Sequence, residues 1–132
     1  MRPNFRSYYP TNVTLAIEAN TLIESGDIVI QNANKRAIPG AAAAGAALVV
    51  AGIAKHTVDN RTGSALGGAA GAADVDCEVG LFDLVTADNP ALKAQLYVLS
   101  ATSVTTTAST NTPCGIARNV VKNGVVTTDV GR

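Results

Sequence analysis

The stretch Asp74-Val75-Asp76-Cys77-Glu78-Val79-Gly80-Leu81-Phe82-Asp83-Leu84 constrains the fold more than any other part of the chain. Val75, Cys77, Val79 and Leu81 fall on one face, and Asp74, Asp76 and Glu78 on the other. Successive side chains of a β-strand point to opposite faces, so this strict alternation predicts a half-buried strand. The phase then slips beside Gly80, because Phe82 and Leu84 carry the apolar pattern onto the opposite parity. A one-residue slip at a glycine predicts a β-bulge, with the glycine in a conformation that is costly for other residues. A bent central strand of an all-β domain is the expectation.

The rest of the chain fits that class. Valine, isoleucine and threonine are plentiful, as strands prefer, while helix-breaking glycine occurs 12 times. With 132 residues the chain is long enough to bury roughly two-thirds of its unfolded surface. The hydrophobic fraction of 47% overstates the core, since much of it is alanine and only 4% is aromatic. The expected fold is all-β, a compact β-sandwich or small β-barrel over residues 13–132, preceded by an extended N-terminal arm over residues 1–12.

Taken in order, Val13, Leu15 and Ile17 alternate with polar neighbours as a first strand, and Ser25-Gly26-Asp27 turns into Ile28-Val29-Ile30. Asn32-Ala33-Asn34 reads as a turn with Lys35 to Pro39 returning as a hairpin partner. The uncharged Ala/Gly run from Gly40 reads as a small-residue loop feeding a strand from Leu48 to Val58. An alanine-rich helix near 41–47 is the alternative. The run is too poor in large apolar residues for a membrane span. Residues 60–73 read as a flexible insertion with no large side chain to anchor it. Asp88-Asn89-Pro90 marks a turn, Leu92 to Leu99 a strand, Ser100 to Thr112 a polar strand-and-turn segment and Cys114 to Ala117 a short strand. Asn123-Gly124 predicts a type I′ hairpin between Val120-Val121 and Val125-Val126, and a last strand ends near Val130.

The arm stands out chemically. Phe5, Tyr8 and Tyr9 supply three of the five aromatic residues, Arg2 and Arg6 add positive charge, and no acid precedes Glu18. Aromatic residues and arginine are the types enriched at protein interfaces. Arg2, Phe5, Arg6, Tyr8 and Tyr9 are therefore the candidate interface, docking on a neighbouring subunit or partner. Packing against the chain's own domain, or a solvated tail, are the alternatives.

Catalytic and ligand-binding signals are weak. Ten basic and ten acidic residues give a formal net charge of zero, which argues against a nucleic-acid partner needing several phosphates neutralised. His56 is the single histidine and has no cysteine or acid at a familiar metal spacing, so it reads as a surface or packed imidazole. The glycines of 63–71 do not form a phosphate-binding loop. The carboxylates Asp74, Asp76 and Glu78 share one strand face, where a hard cation or cross-strand Lys and Arg partners could meet them. Cys77 and Cys114 lie in apolar segments and read as buried thiols, with a disulfide as the alternative. The polar N-terminus leads into no apolar segment of a secretory leader. No enzyme, no metal, no cofactor and no membrane partner is expected.

The order of short motifs carries a resemblance. Ser25-Gly26-Asp27-Ile28-Val29, Gly52-Ile53-Ala54, Val79-Gly80-Leu81-Phe82-Asp83-Leu84, Leu96-Tyr97, the Thr-rich stretch, Cys114-Gly115-Ile116-Ala117 and a terminal valine strand follow one another. This series resembles the small bacteriophage capsid cement (decoration, head-stabilising) proteins over roughly residues 13–130. Leu92-Lys93-Ala94-Gln95 replaces the Gly-Asp usual there, the Ala/Gly insertions are longer, and the aromatic arm is additional. The resemblance implies a structural virion protein, made in the host cytoplasm, that binds the outer surface of a phage capsid. It implies the major capsid protein as partner, homo-oligomers (commonly trimers) on the shell, and no catalysis. A different phage or cell-surface β-module, such as a tail or fibre component or a glycan-binding domain, is the competing expectation. For that module, Phe82 and Tyr97 are the aromatic residues available outside the arm.

Overall fold

A computed structural model describes residues 12–131, and the arm residues Arg2, Phe5, Arg6, Tyr8 and Tyr9 lie outside the described residues. The described chain is all-β, with no helix, and so no helix long and apolar enough to cross a membrane. Asn12, expected to end the arm, is already strand. It opens β1 (Asn12–Ala16), which is followed by β2 (Thr21–Ile23), β3 (Ile28–Gln31), β4 (Ala37–Pro39), β5 (Val49–Ala54), β6 (Val58–Asn60) and β7 (Asp74–Glu78). The second half holds β8 (Gly80–Val85), β9 (Gln95–Val98), β10 (Val104–Thr105), β11 (Pro113–Ala117) and β12 (Val125–Val130).

Three layers result. The first five-stranded sheet has the order β1-β7-β5-β3-β4, the second β10-β9-β11-β12-β8, and β2 pairs with β6 as a small third layer. One core lies between the two large sheets. Ile28, Ile30 and Ile53 meet Leu84, Leu96, Val98, Cys114, Val126 and Val130 there. The other core lies on the opposite face of the first sheet, where Val29, Ala51, Ala54, Val75 and Cys77 are capped by Ile23 and Val58 of the β2–β6 pair. The uninterrupted Ile28-Val29-Ile30 run now has its reason. A strand covered on both faces alternates between two cores rather than between core and water.

The stretch from Asp74 to Leu84 is two strands in different sheets, not one bulged strand. β7 pairs with β1 and β5, whereas β8 pairs with β12. Gly80, which opens β8, has φ +133°, a backbone region glycine enters without a side-chain clash. The slip in the sequence pattern therefore marks a change of core. Val75 and Cys77 are buried in the capped core, Leu84 in the inter-sheet core.

Other local expectations were refined. The Ala-rich run at 41–47 forms turns and a bridge from Ala41 to Ser100, and the strand expected over 48–58 breaks at Lys55–Thr57 into β5 and β6. The insertion after β6 is anchored after all. Fully buried Asn60 donates from Nδ2 to the carbonyls of Ala69 (2.8 Å) and Glu18 (3.1 Å), and its Oδ1 accepts from the N–H of Gly68 (3.1 Å). Asn123 and Gly124 adopt φ 54° and 73°, as a type I′ turn requires, but Val120-Val121 is not a strand. Beyond the turn, β12 pairs with β11 and β8.

The two large sheets are copies of one design. Each takes its strands in the same order of appearance. The chain's first, fifth, fourth, second and third strands lie side by side once the β2–β6 pair is set apart. The details repeat as well. Ile53 and Ala54 pair with Glu78 and Cys77, as Ile116 and Ala117 pair with Asp129 and Thr128. Gly52 faces Val29 with Ala51 left over as a bulge, as Gly115 faces Leu96 with Cys114 left over. Parallel bridges, Ile17 to Ala37 and Val85 to Ser103, curl each sheet by joining its outermost strands at one end. The sequence carries the trace. Ala51-Gly52-Ile53-Ala54-Lys55-His56-Thr57-Val58-Asp59-Asn60 aligns without a gap over Cys114-Gly115-Ile116-Ala117-Arg118-Asn119-Val120-Val121-Lys122-Asn123.

Candidate docking face

The duplication identifies the surface most in need of a partner. In the first sheet, the outward side chains Ile28, Ile30 and Ile53 are buried because the second sheet covers them. Their counterparts in the second sheet are Gln95, Tyr97 and Ile116, which nothing in the described chain covers fully. Among the described residues, the last outward face of this stack has no covering layer.

Strand register lays that face out. β8 presents Leu81, Asp83 and Val85 beside Asp129, Thr127 and Val125 of β12, and Ile116 of β11 follows next to Asp129. Leu81 is 64% exposed and Val85 55%, large values for aliphatic side chains on a sheet. A polar band divides the two apolar spots. Thr127 donates from Oγ1 to Asp83 Oδ1 (2.8 Å), while Asn119 accepts from the Thr127 N–H (2.9 Å) and donates to its Oγ1 (3.0 Å). Arg118 pairs with Asp129 at 3.1 Å. Gln95 folds back, donating to the carbonyls of Leu96 (2.9 Å) and Gly115 (3.0 Å), where the bulge leaves acceptors in need of a donor. The face is thus apolar at both ends, acidic in the middle at Asp83 and otherwise internally satisfied. Such a surface suits the burial of apolar and aromatic groups with a cation between them.

The other groups considered from sequence sit differently. Asp74, Asp76 and Glu78 are exposed on β7, and no group of three metal-binding side chains occurs among the described residues. Asp76 accepts from Thr14 Oγ1 (2.8 Å), and its N–H donates to His56 Nε2 (3.1 Å). His56 also lies 3.5 Å from the Asp76 carboxylate. Cys77 and Cys114 are unpaired and occupy different cores. Burial, aided by the nearby Asp76 charge, pushes the Cys77 thiol up to about 11, and burial pushes Cys114 up to about 12. Both are neutral thiols at pH 7, packed as small apolar groups.

The sequence-derived interface, Arg2, Phe5, Arg6, Tyr8 and Tyr9, lies outside the described residues. The sequence pattern puts Leu81 on one apolar face with Val75, Cys77 and Val79, whereas the structure exposes it. Once Phe82 and Leu84 point inward, their odd-numbered neighbours must point out. Family models, curated proteins and solved structures were each compared with the chain, and none matches.

Proposed function

We propose that the chain is a structural virion protein that binds the outer surface of a phage capsid and cements the lattice of its major capsid protein. One observation carries the reading: among the described residues nothing covers the outward face of the second sheet, although its counterpart in the first sheet is a buried interface. A protein with such a face works by covering surface, and a ligand that binds only the assembled shell stabilises it by mass action. The motif order over residues 13–130 supports the capsid as the surface concerned, and clustering as trimers would add avidity across a symmetric lattice. The candidate interface comprises Leu81 and Val85 together with Arg2, Phe5, Arg6, Tyr8 and Tyr9.

The test uses expanded capsids stripped of decoration, with bound protein measured by sedimentation and shell melting by calorimetry. Saturable binding that raises the shell's melting temperature is expected. Both effects should fall at least about tenfold in apparent affinity for Leu81→Asp/Val85→Asp, because charge then replaces apolar contact. Absence of binding by the folded wild-type protein would overturn the reading, and specific retention on a glycan array would replace it with a carbohydrate-binding module.

A further inference from the structure

We propose that the chain associates with a second copy of itself, the turn at Leu92-Lys93 of one molecule seating in an apolar pocket at the opposite end of the next. The duplication singles out the turn. In the first half the Gly26 N–H donates to the Ala54 carbonyl (2.8 Å), that of Ala54 to Asp27 (2.8 Å) and that of Asp27 to Glu24 (3.0 Å). In the second half Lys93 donates to Ala117 (2.8 Å), Ala117 to Ala94 (2.9 Å) and Ala94 to Ala91 (3.0 Å), so Leu92 stands where Ser25 does. The surfaces of the two turns differ. The Ser25 N–H donates to Thr57 Oγ1 (3.0 Å), whereas Leu92 and Val120, which hold those two places, are 55% and 68% exposed. Lys93 has φ +69°, where the first half puts Gly26 at +92°. Lysine is strained in that region and glycine is not. The second half thus gives up residues that fit the turn and presents an aliphatic pair and a cation instead. Strain that persists where a fitting residue exists points to a contact.

A complementary surface lies at the far end of the same strands. Leu48, Val49 and Val50 on the first-sheet side and Pro113, Cys114 and Gly131 on the second-sheet side line an apolar pocket of about 190 Å³. A cavity of about 150 Å³ holds a benzene ring, so the pocket has room for a leucine side chain. Val79, whose side chain lies against Gly131, directly follows the exposed Glu78, which puts a carboxylate beside the pocket for Lys93. Neither Glu78 nor Lys93 has an ion-pair partner among the described residues. β11 runs from Pro113 at the pocket to Ala117 at the turn, on the order of 13 Å, so turn and pocket meet only between molecules. A second copy therefore matches in shape and in charge. The contact is heterologous, the type from which cyclic trimers are built, and it uses neither Leu81 nor Val85 of the outward face.

Self-association is a property of the free protein, so its test needs no capsid and its failure leaves the capsid-binding assay unaffected. Sedimentation equilibrium of the full chain up to about 0.1 mM measures it. The wild type is expected to form oligomers. Leu92→Ser/Lys93→Gly/Val120→Thr installs the residues that the first half carries in the same turn. It is expected to weaken association at least about tenfold while keeping a cooperative urea transition. Lys93→Glu and Glu78→Lys should each weaken association, and the two combined should restore it at least in part. A wild type that stays monomeric throughout would overturn the proposal. Oligomers unaffected by the turn variant would overturn it too, as would charge reversals that do not rescue each other.

Discussion

Gly52 and Gly115 hold the same place in the two halves for the same reason. A Cβ on Gly52 would run into the carbonyl oxygen of Glu78, and one on Gly115 into that of Asp129. Gly52 adds a positive φ of +145°, whereas Gly115 has no unusual φ, so contact alone demands glycine there. Gly115→Ala is therefore predicted to destabilise the protein by about 1–3 kcal/mol through forced backbone movement, and Gly52→Ala by at least as much. Urea midpoints at unchanged m-value measure this, and a Gly115→Ala change within about 0.5 kcal/mol would contradict the contact. Asn60 and Asn123 show the limit of the repeat. They align in sequence, yet Asn60 is buried and satisfies three backbone groups, while Asn123 takes the left-handed position of a turn. The same residue type serves both because its amide bonds locally and its backbone tolerates positive φ.

At the scale of elements, the connection from β8 to β9 and the segment after β10 are tied by one carboxylate. Asp88 Oδ2 accepts from the Thr105 hydroxyl (2.7 Å), the Thr106 N–H (2.9 Å) and the Thr106 hydroxyl (3.2 Å). The Thr106 N–H, then the Thr105 hydroxyl, holds this carboxyl below its ordinary range. A lowered folded value means that stabilisation is present in full above the unfolded value near 4 and is lost as pH falls through the folded value. Asp88→Ala is accordingly predicted to lower Tm at about pH 6, with the difference from wild type narrowing toward about pH 3. A difference that stays constant over that range would rule out the carboxylate's charge as its source. The loop after β6 is fixed similarly by Asp59, whose bonds with Arg61 lower it to about 2.

For the whole molecule, duplication divides the labour of the cores unequally. The first half owns the core under the β2–β6 pair, whereas the inner face of the second half is closed by Ile28, Ile30 and Ile53 of the first, with Ile38, Leu48 and Val50 packed beside them. Residues 80–132 expressed alone are therefore predicted to be unfolded by far-ultraviolet circular dichroism. Residues 1–79 should retain β-structure but associate through the isoleucines left exposed. A cooperatively melting fragment 80–132 would show that the inter-sheet core is dispensable. In the intact chain both cores should melt together, since β3 and β5 line each of them.

Sequence alone determined the fold class and most strand positions, because period-two alternation and turn chemistry are local signals. Ile28-Val29-Ile30, the Asn123-Gly124 turn and the glycine at the Asp74–Leu84 break were all legible in that way. It also displayed the arm's composition. It could not say that β7 and β8 part into different sheets, because a parity slip looks the same whether a strand bulges or the covered side changes. The anchoring of the 60–73 loop by Asn60 was equally hidden, since its bonds reach Glu18, 42 residues away in sequence. The docking face was the furthest from view. Leu81 and Val85 read as ordinary strand residues, and only the packing of one sheet on the other decides which apolar face is buried and which is left open.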